Sequence, residues 1–317
     1  MYKQFFGLRA NPFNVNPDPR YLFLTQHARE ALACLSYGIQ TRKGFILLTG
    51  EVGTGKTTLL NKLLEWLHTQ RVSTAFIFNP RLNVMEFFEF MMADFGIPCE
   101  TNDKGHMLMK LNHWLLDRFR VGETAALIID EAQNLSADLL EEIRLLTNLE
   151  TSTEKLLQIV LSGQPELEQK LREPQLRQFR QRITLRCRTH PLSTEETKTY
   201  IAQRLRLAGA NSEPIFSSEA AETICKYAQG IPRVTNLLCE HALINAFVDQ
   251  KRLVTTDLVE EIAQEFELIE VPPLAVAASR SSGENVTMLE AVKMFTARRN
   301  AMRQVHANEV GNDKNQS

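Results

Sequence analysis

The 317 residues are chain enough for about two ordinary domains, and 44% hydrophobic content is enough for a sizeable core. With 23% charged residues and a net charge of -2, from 36 Lys and Arg against 38 Asp and Glu, the composition excludes a wholly disordered or collagen-like chain and offers polyanions no bulk attraction. Cys34, Cys99, Cys187, Cys225 and Cys239 form no CxxC pair, which excludes a disulfide scaffold and fits reduced thiols in a cytosolic compartment.

Residues 1–25 read as a leader. Asn11-Pro12 and Asn16-Pro17-Asp18-Pro19 fix φ and remove backbone donors, which predicts an extended, turn-rich segment. No apolar run at the N-terminus resembles a signal peptide, and no stretch reaches the roughly 18 apolar residues of a membrane span. Helical spacing over 27–42 puts Ala28, Ala31, Leu32, Leu35 and Ile39 on one side. Phe45-Ile46-Leu47-Leu48-Thr49 is an apolar run stopped by Gly50, which predicts a buried strand, and a helix over 57–70 follows. Further strands are predicted at 74–78, 125–129, 157–161 and 183–187, with helices about 84–95 and 104–119 between the second and third. Such alternation predicts an α/β fold with a mostly parallel sheet flanked by helices.

After Pro191 the strand signal stops. Ser193-Thr194-Glu195-Glu196 is a capping box, in which Ser193 and Glu196 satisfy the open amides of a helix start. Helices predicted at 194–208, 218–228, 232–248 and 256–266 make a small all-α domain. Val271-Pro272-Pro273 and Ser279-Arg280-Ser281-Ser282-Gly283 then break the pattern. The predicted organisation is a leader over 1–25, an α/β domain over 26–191, a helical lid over 192–268, and a linker with a disordered tail over 269–317.

Gly50-Glu51-Val52-Gly53-Thr54-Gly55-Lys56-Thr57 matches GxxxxGK[ST] in full, between a predicted strand and a predicted helix. Glycines let the backbone wrap phosphate oxygens with amides pointing inward, and the helix start favours an anion. Lys56 can reach the β- and γ-phosphates, and the Thr57 hydroxyl can ligate Mg²⁺; Thr58 completes the loop. Leu127-Ile128-Ile129-Asp130-Glu131 is the matching second element, with its acids at the carboxyl edge of the sheet, where α/β ligands bind. Asp130 is the candidate to hold Mg²⁺ and Glu131 to activate the attacking water. About 75 residues separate Gly55 from Asp130, room for at least one more strand. With a Glu beside the Asp, this suggests the branch of nucleotide hydrolases with an additional strand between the two elements.

At these residues the sequence resembles the AAA+ ATPases, and more narrowly the ExeA/GspA family of general secretion pathway protein A ATPases. The resemblance covers about residues 1–268. It is carried by the phosphate loop, by Phe5-Phe6-Gly7-Leu8 with Asn11-Pro12-Phe13, by Asp130-Glu131-Ala132-Gln133-Asn134-Leu135, by the helix through Arg144-Leu145-Leu146-Thr147-Asn148-Leu149-Glu150, and by Leu161-Ser162-Gly163-Gln164-Pro165-Glu166-Leu167. It implies a P-loop NTPase (AAA+) fold and conversion of ATP and water to ADP and phosphate, with Mg²⁺. It also implies a role in assembling or remodelling a secretion-associated complex, from the cytoplasm or peripherally at the inner membrane, with a secretion-complex protein as partner.

The same resemblance assigns roles to single residues. Gln164, with Ser162 as competitor, takes the place of the polar sensor of the γ-phosphate or lytic water. Asn79 stands where a polar residue restrains the catalytic Glu, and Arg233 in Gly230-Ile231-Pro232-Arg233 where the lid carries its second sensor. Arg182, then Arg180 and Arg177, are candidates for an arginine finger acting in trans, which implies a homo-oligomer. Longer family members continue into a membrane span and a cell-wall-binding segment; residues 269–317 read instead as a linker and a basic stretch containing Arg298, Arg299 and Arg303. Two alternatives stay open. One is a DNA-associated transposition ATPase like MuB and TnsC, with phosphate contacts from Arg177, Arg180, Arg182, Arg186 and Arg188, which the near-neutral charge disfavours. The other is a slow nucleotide-gated switch or scaffold.

Overall fold

Five segments form the strands β1 (Phe45–Thr49), β2 (Val72–Ile77), β3 (Thr124–Ile129), β4 (Leu157–Gly163) and β5 (Ile183–Arg188) of one parallel sheet. The computed structural model describes residues 1–268, apart from Val15, Pro17, Asn79, Pro80, 99–102 and Ser212. The restraining role expected of Asn79 and the tail expected over 269–317 therefore lie outside the described residues. Helices α1 (Tyr2–Phe5) and α2 (Gln26–Gln40) precede β1, and α3 (Lys56–His68) follows it. Helices α4 (Val84–Asp94) and α5 (Lys104–Arg120) separate β2 from β3, and α6 (Ala137–Leu146) follows β3. The short α7 (Pro165–Lys170) and α8 (Arg177–Arg182) link β4 to β5. After the sheet come α9 (Thr194–Leu207), α10 (Ser218–Ala228), α11 (Pro232–Val248) and α12 (Thr256–Glu265).

Every residue of β1, β3 and β4 is buried, because side chains alternate between two covered faces. Phe45, Leu47, Leu127, Ile129, Ile159 and Leu161 pack with α4, α5 and α6. Ile46, Leu48, Ala126, Ile128 and Val160 pack with α2 and α3. The edge strand β5 differs: Thr184, Arg186 and Arg188 are exposed, and charge at an open edge discourages pairing with another chain.

The sheet order is β2-β3-β4-β1-β5. The loop strand β1 and the acidic strand β3 are thus separated, as expected, but the strand between them in space is β4. β2, which comes between them in sequence, lies at the edge. This placement brings Ser162 of β4 beside Asp130 and sets Gln164 just past the same edge.

The helices after β5 build a second core from Ile201, Ile224, Leu238, Leu243, Val259 and Ile262. Its first helix carries the expected capping box: Ser193 Oγ accepts from the Glu196 amide at 3.2 Å, and the Ser193 amide donates to Glu196 Oε2 at 2.8 Å. The N-terminal segment joins this core and is not a free extended arm. Residues 2–5 are helical, and Phe6, Leu8 and Phe13 are buried among the helical residues. The Arg9 amide donates to the Ala208 carbonyl at 2.7 Å, and Tyr2 Oη and Asn11 Nδ2 donate to Glu240 at 2.9 and 3.0 Å. The spacing of Phe6, Leu8 and Phe13 has neither helical nor strand period, so its burial left no periodic signal.

Candidate nucleotide site

The loop between β1 and α3 turns at the carboxyl edge of the sheet. Gly53 and Gly55 have φ of 80° and 94°, a region closed to most side chains. At Gly53 space closes too: a Cβ would lie 2.7 Å from Arg233 Cβ and 3.0 Å from Ile231 Cγ2. The helical cluster meets the loop there, and the Arg233 amide donates to the Gly53 carbonyl at 3.2 Å.

Lys56 opens α3 and is 5% exposed. Its Nζ donates to the carbonyls of Gly50 at 2.8 Å and Glu51 at 3.0 Å. Burial pushes its ammonium below the usual lysine range, and the carboxylates of Glu131, Asp130, Glu51 and Glu166 pull the other way. Thr57 Oγ1 donates to Asp130 Oδ2 at 2.7 Å, so loop and acidic strand touch. Asp130 Oδ1 accepts from Ser162 Oγ at 2.7 Å and from the Glu131 amide at 3.0 Å. Three donors fix this buried carboxylate, as a buried charge requires.

Glu131 adopts the left-handed conformation, φ 54°, directly after β3. Non-glycine residues persist there when surrounding structure holds them. Its Oε2 accepts from Gln133 Nε2 at 2.6 Å and from Gln164 Nε2 at 3.3 Å. Of the two sensor candidates, Gln164 therefore meets Glu131, while Ser162 meets Asp130.

Lys56, Thr57 and Glu131 face a cleft of about 350 Å³, lined by residues 52–59 of the loop and α3 and by Glu131. Its other walls are Asn16, Asp18, Tyr21, Leu22, Phe23 and Thr25 from the N-terminal segment, and Tyr200, Arg204, Pro232, Arg233 and Asn236 from the helical cluster. Thr189 and His190, just after β5, complete it, and Thr189 Oγ1 bonds Thr54 Oγ1 at 2.7 Å. Sequence reading placed Arg233 on this wall and missed the rest of it. Arg204 is buried: it donates to the Pro12 and Asn14 carbonyls and to Tyr200 Oη at 2.6 Å, and stacks over the Tyr21 ring at 4.6 Å. Tyr200 Oη in turn donates to Asn236 Oδ1 at 2.9 Å.

Arg182 is not at this cleft. It precedes β5 at the amino edge, where Phe45 pairs with Ile183, whereas the loop follows Thr49, which pairs with Arg188. Six residues at about 3.3 Å each put the two ends roughly 17–20 Å apart. Arg182 instead donates to Asn148 Oδ1 at 3.4 Å, and Arg177 and Arg180 are exposed on α8.

Residues 39–171 match the family described as AAA domain. Over 248 residues, 78% of its length, the chain is 46% identical to general secretion pathway protein A of Aeromonas hydrophila. The chain carries an AAA domain and is similar in sequence to GspA over these residues. It spans 45% of that relative's length. Among solved structures, the ORC2 protein of Aeropyrum pernix, in ADPNP–ADP complexes, superposes with a TM-score of 0.62 at 18% identity, over 80% of this chain and 71% of that one. Cdc6p of Pyrobaculum aerophilum gives 0.62 at 18% identity, over 83% and 70%. At these identities the likeness shows the fold alone: a P-loop sheet flanked by helices, with a helical region after it. Among the described residues no helix is long and apolar enough to cross a membrane.

Proposed function

We propose that the chain binds ATP with Mg²⁺ and hydrolyses it to ADP and phosphate, and that the cycle drives a homo-oligomer which assembles or remodels a secretion-associated, membrane-linked complex. The observation that carries the hydrolysis reading is that Lys56, Thr57 and Glu131 line one cleft, with the Asp130 carboxylate bonded to Thr57 beside it. The donor set suits Mg²⁺. Thr57 Oγ1 and the Asp130 carboxylate are hard oxygen donors, and among the described residues no group of three or more His, Cys, Asp and Glu could hold an ion unaided. Mg²⁺ is usually held by one or two carboxylates together with substrate phosphates, and when bound it neutralises charge on those oxygens.

The loop amides from Gly50 to Thr58 hold the phosphates, and Lys56 exchanges its two carbonyl partners for phosphate oxygens. Glu131 accepts the proton of the attacking water, and Gln164, already bonded to Glu131, orients that water. Arg233 contacts the phosphates from the helical cluster, which acts as a lid and couples its angle to the bound nucleotide. Arg182 lies too far to complete its own site and serves a neighbouring subunit, so hydrolysis depends on oligomerisation. The likeness to general secretion pathway protein A of Aeromonas supports the secretion role.

Hydrolysis is measured with purified protein, ATP and Mg²⁺. Glu131→Gln should retain nucleotide and lower turnover about 100- to 10,000-fold, and Lys56→Ala should lose binding. Rates unchanged by both would sink the ATPase reading. Stimulation by anionic vesicles supports the membrane-linked role. A second reading, a DNA-associated transposition ATPase, rests on one observation: Arg177, Arg180, Arg182, Arg186 and Arg188 are all exposed along α8 and β5. Salt-sensitive stimulation by duplex DNA would replace the secretion reading with this one.

A further inference from the structure

Gln133, two residues beyond Glu131, bridges the acidic strand and the start of α7 with one side chain. Its Nε2 donates to Glu131 Oε2 at 2.6 Å, the shortest bond on that carboxylate. Its Oε1 accepts from the Gln164 backbone amide at 3.1 Å, at the N-cap of α7. Gly163 keeps that approach open, because a Cβ there would lie 2.9 Å from Gln133 Oε1. The Gln133 backbone is itself held, its carbonyl accepting from Lys170 Nζ at 3.2 Å. An amide suits this bridge, since it offers a donor at one terminal atom and an acceptor at the other.

We propose that Gln133 is a positioning residue for the Glu131 carboxylate. The inference rests on the ATPase reading above. Gln133 and Gln164 both bond Oε2, so among the described residues Oε1 is left as the oxygen that accepts a proton from water. Gln133 touches neither water nor nucleotide in this role. It sets the rotation of the carboxylate plane about an anchored oxygen and keeps that anchor registered with Gln164. Glu131 is held at its backbone by a left-handed turn and at its side chain by this bond, so a small displacement at Gln133 becomes a misaligned proton transfer.

Two variants of the full chain separate positioning from tethering. Gln133→Met keeps length and volume and loses both bonds. Gln133→Glu keeps an acceptor for the Gln164 amide but cannot donate to Glu131. Both should lower kcat about 10- to 100-fold, while KM and the affinity for a fluorescent ATP analogue stay within about twofold and the thermal midpoint is unchanged. A Gln133→Glu protein with wild-type kcat overturns the inference, because tethering α7 would then be the whole role. Wild-type kcat in Gln133→Met overturns it as well. Should Gln133→Met fail to fold, Gln133→Glu carries the test alone. A wild-type chain that binds ATP with Mg²⁺ and never hydrolyses it overturns the ATPase reading, and this inference with it. Wild-type turnover that Glu131→Gln abolishes and Gln133→Glu leaves intact overturns the inference alone.

Discussion

Phe13→Ala tests whether the N-terminal segment is a structural part of the helical cluster. Phe13 is 0% exposed, and its ring meets Phe216 nearly edge-on, 6.1 Å between centroids. The flanking carbonyls of Pro12 and Asn14 are held by Arg204, so the backbone cannot readily collapse into the space the ring leaves. Truncating a buried Phe costs about 3–5 kcal/mol when the site relaxes poorly. The edge-on pair, worth about 0.5–1.5 kcal/mol by itself, places this position in the upper half of that range. Domain stabilities are about 5–15 kcal/mol, so about a quarter of the total or more is at stake. Phe78→Ala is the matched control: at 71% exposed, it should stay within about 0.5 kcal/mol of wild type. Urea unfolding gives both values, with an unchanged m-value as the check that the denatured state is the same. Asn16, Asp18, Tyr21, Leu22, Phe23 and Thr25 of the same segment line the cleft, so nucleotide affinity should weaken in Phe13→Ala and not in Phe78→Ala. A loss under about 1 kcal/mol, or one equal to the control, refutes the placement of this segment in the core.

Burial pushes the His241 imidazole down to about 4 from 6.5. Between those values the unfolded chain binds more protons, so this stability is fully present above pH ~6.5 and is lost as pH falls through ~4. The amount is on the order of 3 kcal/mol, from a gap of about two to three pH units at about 1.4 kcal/mol each. His241→Leu should flatten the unfolding free energy between pH 7 and 4, and equal slopes in both proteins refute the assignment. Gly53→Ala forces φ 80° on a side chain and a Cβ to 2.7 Å from Arg233. It should weaken nucleotide binding about tenfold, from the ~1–2 kcal/mol cost of that conformation, and unaltered affinity by calorimetry argues against close loop–lid contact. Lys56→Ala and Arg182→Ala should each be inactive alone and regain part of the activity when mixed; mixtures that stay dead refute a finger acting in trans.

What was legible in the sequence follows from how locally each feature is encoded. β1, β3 and β4 are buried on both faces, so their apolar character is continuous and short windows reveal it. The phosphate loop is legible because its function needs backbone conformations that only consecutive residues supply. Strand order is a long-range property: placing β4 between β1 and β3 depends on pairings such as Phe45 with Ile159 and Leu127 with Ile159, more than a hundred and more than thirty residues apart. The far wall of the cleft was hidden for a sharper reason. Prolines marked residues 1–25 as irregular, and irregular backbone reads as surface because its polar groups lack regular partners. Here partners come from side chains 190 to 238 residues away. Arg204 supplies a fork of donors to the Pro12 and Asn14 carbonyls, and Glu240 accepts from Tyr2 and Asn11. On α9 alone, Arg204 looks like one more solvated cation. Its burial follows only once the carbonyls of an irregular segment are counted as acceptors in need of a donor, and that segment then becomes a wall of the cleft.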